Sequence, residues 1–248
     1  MILRYTSSGY LVILPQDDCH AVVDAMLATD YNEEFCIALD FSPEFIARLM
    51  EAGFLVMSAK IESCQEDEEP VYILLPKLHL TRSVLFYENL HIKKSIRRYL
   101  NRASRDYELR IDNDFDFILE RCLEKHGDDW LTPPLVTSIR EIRARSENPS
   151  GYLIPANSAR PVSFALYRNG KLVAGEFGIV CNRIYTSYSG YYEENNTGTI
   201  QIILTSHYLQ EHGFSFFDLG MPLDYKTDLG AVDISAEEYV RHFREYDF

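Results

Sequence analysis

The stretch ARPVSFALYRNGKLVAGEFGIVCNRIYTSYSGYY, Ala159 to Tyr192, limits the possible folds of this chain more than any other. Apolar and β-branched residues run through it with two interruptions. Asn169-Gly170 suits a two-residue hairpin turn, since both residue types tolerate the positive φ that such a turn requires. Cys181-Asn182-Arg183 lies near a second turn. The stretch therefore reads as consecutive antiparallel strands.

Helical patterns flank it. SPEFIARLMEAG, Ser42 to Gly53, has Ser42 placed as N-cap, Pro43 at the first helical position, apolar Phe45, Ile46, Leu49 and Met50, and Gly53 as the stop. VYILLP, Val71 to Pro76, reads as a strand, and CQEDEEP, Cys64 to Pro70, as a solvated loop. From about residue 88 helices and strands alternate. An amphipathic helix follows Asn113 and ends near Gly127, TGTIQIILTSHYLQEHG forms a helix stopped by Gly213, FSFFDL a strand, and SAEE a capping box opening a last helix at Ser235. The expectation is an α/β (α+β) chain with a small N-terminal domain over 1–87 and a larger mixed domain over 88–248.

At 248 residues and 46% apolar content the chain can bury a sizeable core. It has no apolar run of about 18 residues, and the apolar part of its N-terminal MILRYTSSGYLVILPQDD is too short for a signal peptide, so the cytoplasm is the expected compartment. Cys19, Cys36, Cys64, Cys122 and Cys181 are odd in number and scattered, which suits buried thiols rather than a disulfide framework or zinc knuckle. The seven histidines show no metal-binding spacing and no local nucleophile-histidine arrangement; neither a metal nor a cofactor is expected.

A net charge of -14 argues against unselective coating of nucleic acid, which needs many cations on phosphates. The distribution is uneven, however. HIKKSIRRYLNRASRDYELR, His91 to Arg110, holds seven of the 24 basic residues against two acids. Ile92, Ile96, Tyr99 and Leu100 form an apolar stripe at helical spacing, which leaves Lys93, Lys94, Arg97, Arg98 and Arg102 on the flanking faces.

The order and spacing of several motifs resemble the bacterial leucyl/phenylalanyl-tRNA-protein transferases: the SPE helix ending at Gly53, LHIKKSIRR, DDWLTPP, VAGEFG, NNTG, and an Asp-x-x strand end before DLGA and a final helix. The resemblance runs through most of the length. It implies a C-terminal domain similar in fold to N-acetyltransferases, with a mixed, largely antiparallel sheet flanked by helices. It also implies transfer of an aminoacyl group from aminoacyl-tRNA to the N-terminal α-amino group of an acceptor protein, in the N-degron degradation pathway. The turn Glu193 to Gly198 lacks the basic residue and second glycine that acyl-CoA enzymes of such a fold use for pyrophosphate. Lys93, Lys94, Arg97, Arg98 and Arg102 match the family's tRNA surface. Trp130 matches its tryptophan, near the terminal adenosine or the pocket wall. No membrane is implied, and a monomer is expected.

Three departures concern the chemistry. The family's Asp-x-Gln strand end is Asp218-Leu219-Gly220 here, so the acid is kept and Gly220 stands where the Gln would assist proton transfer. The family's acceptor-side Glu, in Gly-Glu-Ser, is Tyr188 within Ser187-Tyr188-Ser189. Glu176 replaces an apolar residue of the aminoacyl pocket, and Gly190 a large apolar one. Asp218, Tyr188 and Ser189 are the catalytic candidates; Glu176, Trp130, Phe177, Tyr185, Gly190 and Gly220 are the substrate-binding ones. A carboxylate at 176 fits a cationic side chain, arginyl or lysyl, in place of leucyl or phenylalanyl. Otherwise Glu176 faces solvent or pairs internally, for example with Arg183. Two rival readings stay open: a homologue that binds tRNA or protein N-termini without transfer, and an acyl-CoA-dependent N-acyltransferase.

Overall fold

The computed structural model describes residues 3–29, 31–61, 69–146 and 153–245. The expected loop from Cys64 and the Cys64 thiol lie for the most part outside them. In the N-terminal part a short ribbon, β1 (Arg4–Tyr5) and β2 (Leu11–Val12), precedes α1 (Cys19–Ala28) and α2 (Pro43–Glu51), and β3 (Leu55–Ile61) pairs antiparallel with β4 (Val71–Lys77). Pro43 opens α2 and Gly53 follows it with φ 97°, as its sequence requires; the Ser42 side chain turns to Asp40 instead of capping the helix.

β5 (Thr81–Leu85), α3 (Lys94–Ala103), β6 (Tyr107–Ile111), α4 (Phe115–His126), α5 (Pro133–Arg145), β7 (Arg160–Arg168), β8 (Lys171–Cys181), β9 (Ile184–Tyr192), α6 (Thr197–Glu211), β10 (Phe216–Asp218), α7 (Asp224–Asp228), β11 (Val232–Ser235) and α8 (Ala236–Arg244) follow. Their strands form one seven-stranded sheet, ordered β11-β5-β10-β9-β8-β7-β6. Only β9 and β10 are parallel, joined by the crossover helix α6. The sheet takes in β5: Thr81–Leu85, on the N-terminal side of the seam expected at residue 87, pairs with β10 and β11.

Alternation along the strands sorts the core into two faces. Ala165, Phe177, Ile179, Ile184 and Phe216 pack with α2, α4, α5 and α8 in a cluster that also contains Ile13 and Val23 of the N-terminal part. Phe164, Val180, Tyr185 and Phe217 pack with α6 on the opposite face. Both expected turns form. Asn169 and Gly170 take φ of 49° and 79°, and Asn182 and Arg183 take 48° and 61°. A bulge between β8 and β9 sets Phe177 opposite Ser189 and Gly178 opposite Ser187, leaving Tyr188 as the extra residue.

Candidate active site at the open edge of β9

β10 ends at Asp218, and its pairing with β9 covers only Ile184 to Thr186. Beyond Thr186, β9 keeps β8 on one side and has no strand on the other. Such an opening between parallel strands at their C-terminal ends is where open sheets hold ligands. Two groups of polar side chains lie around it, one on each face.

On the α8 face, Asp218 is wholly buried and every oxygen is occupied. The guanidinium of Arg82 donates to it through Nε at 2.9 Å and Nη2 at 2.6 Å, Thr186 Oγ1 at 2.8 Å, Gly220 N at 2.9 Å and Tyr239 OH at 3.2 Å. Arg82 also lies over the Tyr239 ring, 4.4 Å from its centroid. Burial raises the carboxyl, but Arg82, Gly220 N and Thr186 outweigh it and hold Asp218 below the usual carboxylate value. Asp218 is thus a fixed anion that fastens β5, β9, β10 and α8 together. Gly220, at φ 75°, turns the chain so that its own N–H reaches back to that carboxylate.

On the α6 face, Glu176 is buried at 4% exposure, opposite Phe164 on β7 and Gly190 on β9. Ser187 Oγ donates to its Oε2 at 3.0 Å. Among the described residues its Oε1 has no hydrogen-bond partner, nor has the buried hydroxyl of Tyr185 on the same face. Gln201 approaches the carboxyl, but its amide nitrogen is directed to Thr205 Oγ1 at 3.0 Å. Burial pushes Glu176 up to about 7, against the lowering effects of Gln201, Ser187 and Lys226. Thr197, Gln201 and Thr205, spaced i, i+4 and i+8 on α6, all point inward. Glu176 does not face solvent, and its internal partner is Ser187 rather than an arginine; Arg183 donates to the Gly213 carbonyl, at 2.6 Å.

Lys226 of α7 closes the loop after β10. Its ammonium donates to the carbonyls of Leu219 and, at 2.7 Å, Met221, and burial pushes it down to about 8. Arg82, Thr186, Tyr239, Gln201, Thr205 and Lys226 were not found from sequence. Only the inward polar stripe of α6 left a readable signal, three polar residues at helical spacing.

The sequence candidates divide between the faces. Tyr188 and Ser189 do not meet Glu176: the bulge turns both toward the α4 side, where the Tyr188 ring lies 6.5 Å from Trp130 and Ser189 meets Cys122. The Tyr188 hydroxyl accepts Val56 N at 3.0 Å, tying the small unit to β9. Phe177 is buried against Phe115 and Tyr188. Trp130 is half-buried, and its carbonyl accepts Ser58 N at 2.9 Å. On α3, Lys94, Arg97, Arg98 and Arg102 are exposed, whereas Lys93 pairs with Asp228 of α7 at 2.6 Å. His91 N also donates to Leu229 O at 2.8 Å, so the basic helix starts on the loop that borders the opening. Among the described residues no cluster of three or more potential metal ligands occurs, and no helix is long and apolar enough to cross a membrane.

The same segments carry the similarity to known proteins. A leucyl/phenylalanyl-tRNA-protein transferase of Pseudomonas entomophila is 26% identical over 184 residues, 73% of this chain and 74% of its own. Those of Pseudomonas putida and Roseobacter denitrificans are each 25% identical, over 84% and 82% of this chain and 82% and 86% of theirs. The solved structure of L-PGS from Bacillus licheniformis aligns with 90% of this chain and 69% of its own at 16% identity and a TM-score of 0.37. The family model for leucyl/phenylalanyl-tRNA protein transferase matches residues 84–244, from β5 through the basic helix, the Glu176 and Asp218 strands and α8. With the basic helix, the open edge of β9 and all but the start of β5 inside that match, the chain belongs to the leucyl/phenylalanyl-tRNA protein transferase family.

Proposed function

We propose that this chain moves the aminoacyl group of an aminoacyl-tRNA onto the N-terminal α-amino group of a protein, and so feeds that protein to N-degron degradation. The observation that carries the reading within the structure is the attachment of α3 to α7. The Lys93–Asp228 ion pair and the His91–Leu229 hydrogen bond place the start of a cationic helix beside the opening at the end of β10. Lys94, Arg97, Arg98 and Arg102 then meet phosphates of the acceptor stem and set its position, an interaction that carries no sequence information and weakens with salt.

The reaction is aminolysis of an ester. The neutral acceptor amine attacks the ester carbonyl, the tetrahedral oxyanion collapses, and the ribose hydroxyl leaves with a proton that the amine has lost. Because the ester is already activated, the protein's main task is to align the two substrates. The Asp218–Arg82–Thr186–Tyr239 cluster does this indirectly: it locks the strand ends and the Gly220 turn on which substrates would rest. Asp218 is a positioning residue in this reading, since its oxygens are all engaged and its proton affinity is low. Trp130 and Tyr188 form an aromatic wall on the α4 side.

A second reading has one specific observation in its favour. Gly220 brings no side chain to the position where the family resemblance places a glutamine, and the Tyr188 hydroxyl is taken up by Val56, so the chain could hold charged tRNA without transferring from it. The experiment that decides is transfer from a panel of charged, labelled tRNAs to peptides bearing each N-terminal residue. Label in peptide establishes the transferase; tight binding of charged tRNA with no label establishes the binding protein. A melting-temperature shift with coenzyme A would point instead to an acyl-CoA enzyme.

A further inference from the structure

The α6 side of the sheet contains a feature that folding alone does not explain. A helix packed on a sheet gains most from an apolar inner stripe, yet α6 turns Thr197, Gln201 and Thr205 inward, each at 3% exposure or less. Gln201 of this stripe lies beside a carboxyl, Glu176, that among the described residues has no cationic partner in hydrogen-bond range. Desolvating such a group without a counter-ion is costly. Two buried polar atoms on this face, Glu176 Oε1 and Tyr185 OH, are left without partners. Unpaired buried groups of this kind are places where a ligand can complete the bonding.

A recess at these two atoms would open beside Gly190. Gly190, directly across from Glu176 on β9, is exposed and has no side chain to cover the carboxyl; a Cβ there would stand 3.1 Å from the Glu176 Cβ. Beside it lies the free edge of β9 from Ser187 onward, flanked by Tyr225 and Lys226 of α7. The rings of Tyr185 and Phe164, 4.9 Å apart, supply an apolar wall of the kind that the methylenes of a long side chain cover.

We infer that this recess receives the cationic side chain of a basic aminoacyl group, lysyl or arginyl, with Glu176 as counter-ion and Tyr185, Ser187 and Gln201 as its polar surround. The inference rests on the transferase reading and names the donor for it. An ammonium or guanidinium supplies donors to Glu176 Oε1, and the Tyr185 hydroxyl can point its oxygen at the same cation. A leucyl or phenylalanyl side chain would instead press hydrocarbon on an unpaired carboxyl and leave both atoms unsatisfied. Since the cation binds the ionised form, its affinity increases as pH rises through about 7, where Glu176 loses its proton.

The test uses the full chain with leucyl-, phenylalanyl-, methionyl-, lysyl- and arginyl-tRNA as donors and, separately, titration with non-reactive 3′-aminoacylamino-adenosines bearing lysyl, arginyl or leucyl groups. Expected is a preference for a basic donor of about 10- to 100-fold in kcat/KM, the scale of one charged hydrogen bond. Glu176→Gln removes most of it and Glu176→Met reverses it toward leucyl. The analogues should rank in the same order. Preference for leucyl or phenylalanyl donors, unchanged in Glu176→Met, overturns the inference and leaves the transferase reading intact. No transfer from any donor defeats that reading, and the analogue titration then decides the inference: tighter lysyl or arginyl than leucyl binding supports it, equal or weaker binding overturns it.

Discussion

The protonation of Glu176 should appear in folding stability without any substrate. An ordinary glutamate titrates near 4.5, and burial moves this one to about 7. Between those values the unfolded chain has released the proton and the folded chain retains it. The folded state therefore binds more protons, and its stability falls as pH rises: the contribution is complete below about 4.5 and gone above about 7. At about 1.4 kcal/mol per pH unit the whole window amounts to about 3 kcal/mol, of which about 2 kcal/mol falls between pH 5.5 and 7.5. The assay is urea unfolding of the native chain and of Glu176→Gln, an isosteric neutral side chain, at several pH values in that range. Relative to the variant, the native chain should lose about 2 kcal/mol on going from pH 5.5 to 7.5. His79, pushed down to about 4 by burial, acts in the opposite sense, losing stability as pH falls below 6.5, but it is common to both proteins and cancels in the difference. Lys226, lowered to about 8, acts mainly at higher pH. A difference that stays constant to within about 0.5 kcal/mol would refute the argument, because a carboxyl ionised at both ends of the range contributes no slope.

Three other outcomes are expected. Asp218→Asn leaves the buried Arg82 without its carboxylate and should cost about 3 to 5 kcal/mol in urea unfolding; full stability with abolished transfer would make Asp218 a catalytic residue rather than an anchor. Replacing Lys94, Arg97, Arg98 and Arg102 together by Gln should leave the melting temperature within a few degrees while making the salt dependence of tRNA binding shallower, by roughly one unit of log-log slope for each phosphate that these cations neutralise; an unchanged slope would remove α3 from the interface. Tyr188→Phe strips the acceptor from Val56 N and should destabilise by about 1 to 3 kcal/mol, with the amino-acid preference of the chain unaltered.

Local rules made much of the fold readable. The turns at Asn169-Gly170 and Asn182-Arg183, the start of α2 at Pro43, the stop of α4 at Gly127 and the Ser235 cap on Glu238 N all follow from preferences of a few adjacent residues. β5 was not readable for the complementary reason: SVL is a short apolar run, and nothing near it states that its partners are β10 and β11, more than 130 residues later. For the candidate site, the sequence offers residue types but not the face of the sheet that each one takes. A strand alternates by two, so Glu176 and Ser187 share a side and Tyr188 belongs on the other. The bulge at Tyr188 then sends Ser189 to that other side as well, and no sequence periodicity shows a bulge.

The same reasoning separates Asp218 from Glu176. An acid at a strand end beside a glycine suggests chemistry in the sequence, but Arg82, 136 positions earlier, converts it into a structural anion. Glu176 runs the other way. Nothing in its neighbours Gly175 and Phe177 sets it apart from a solvated strand residue, yet in the fold it is the carboxyl left with an empty oxygen, beneath the one edge of β9 that no strand covers. Asp218 has five donors around it and cannot gain more from a substrate; Glu176 has Ser187 and the nearby Gln201, an oxygen with no partner among the described residues and a proton affinity near neutral. Of the two acids, only the second is placed to change its state if a charged amino acid arrives, and the proposed role of Glu176 rests on that difference in bonding rather than on residue type.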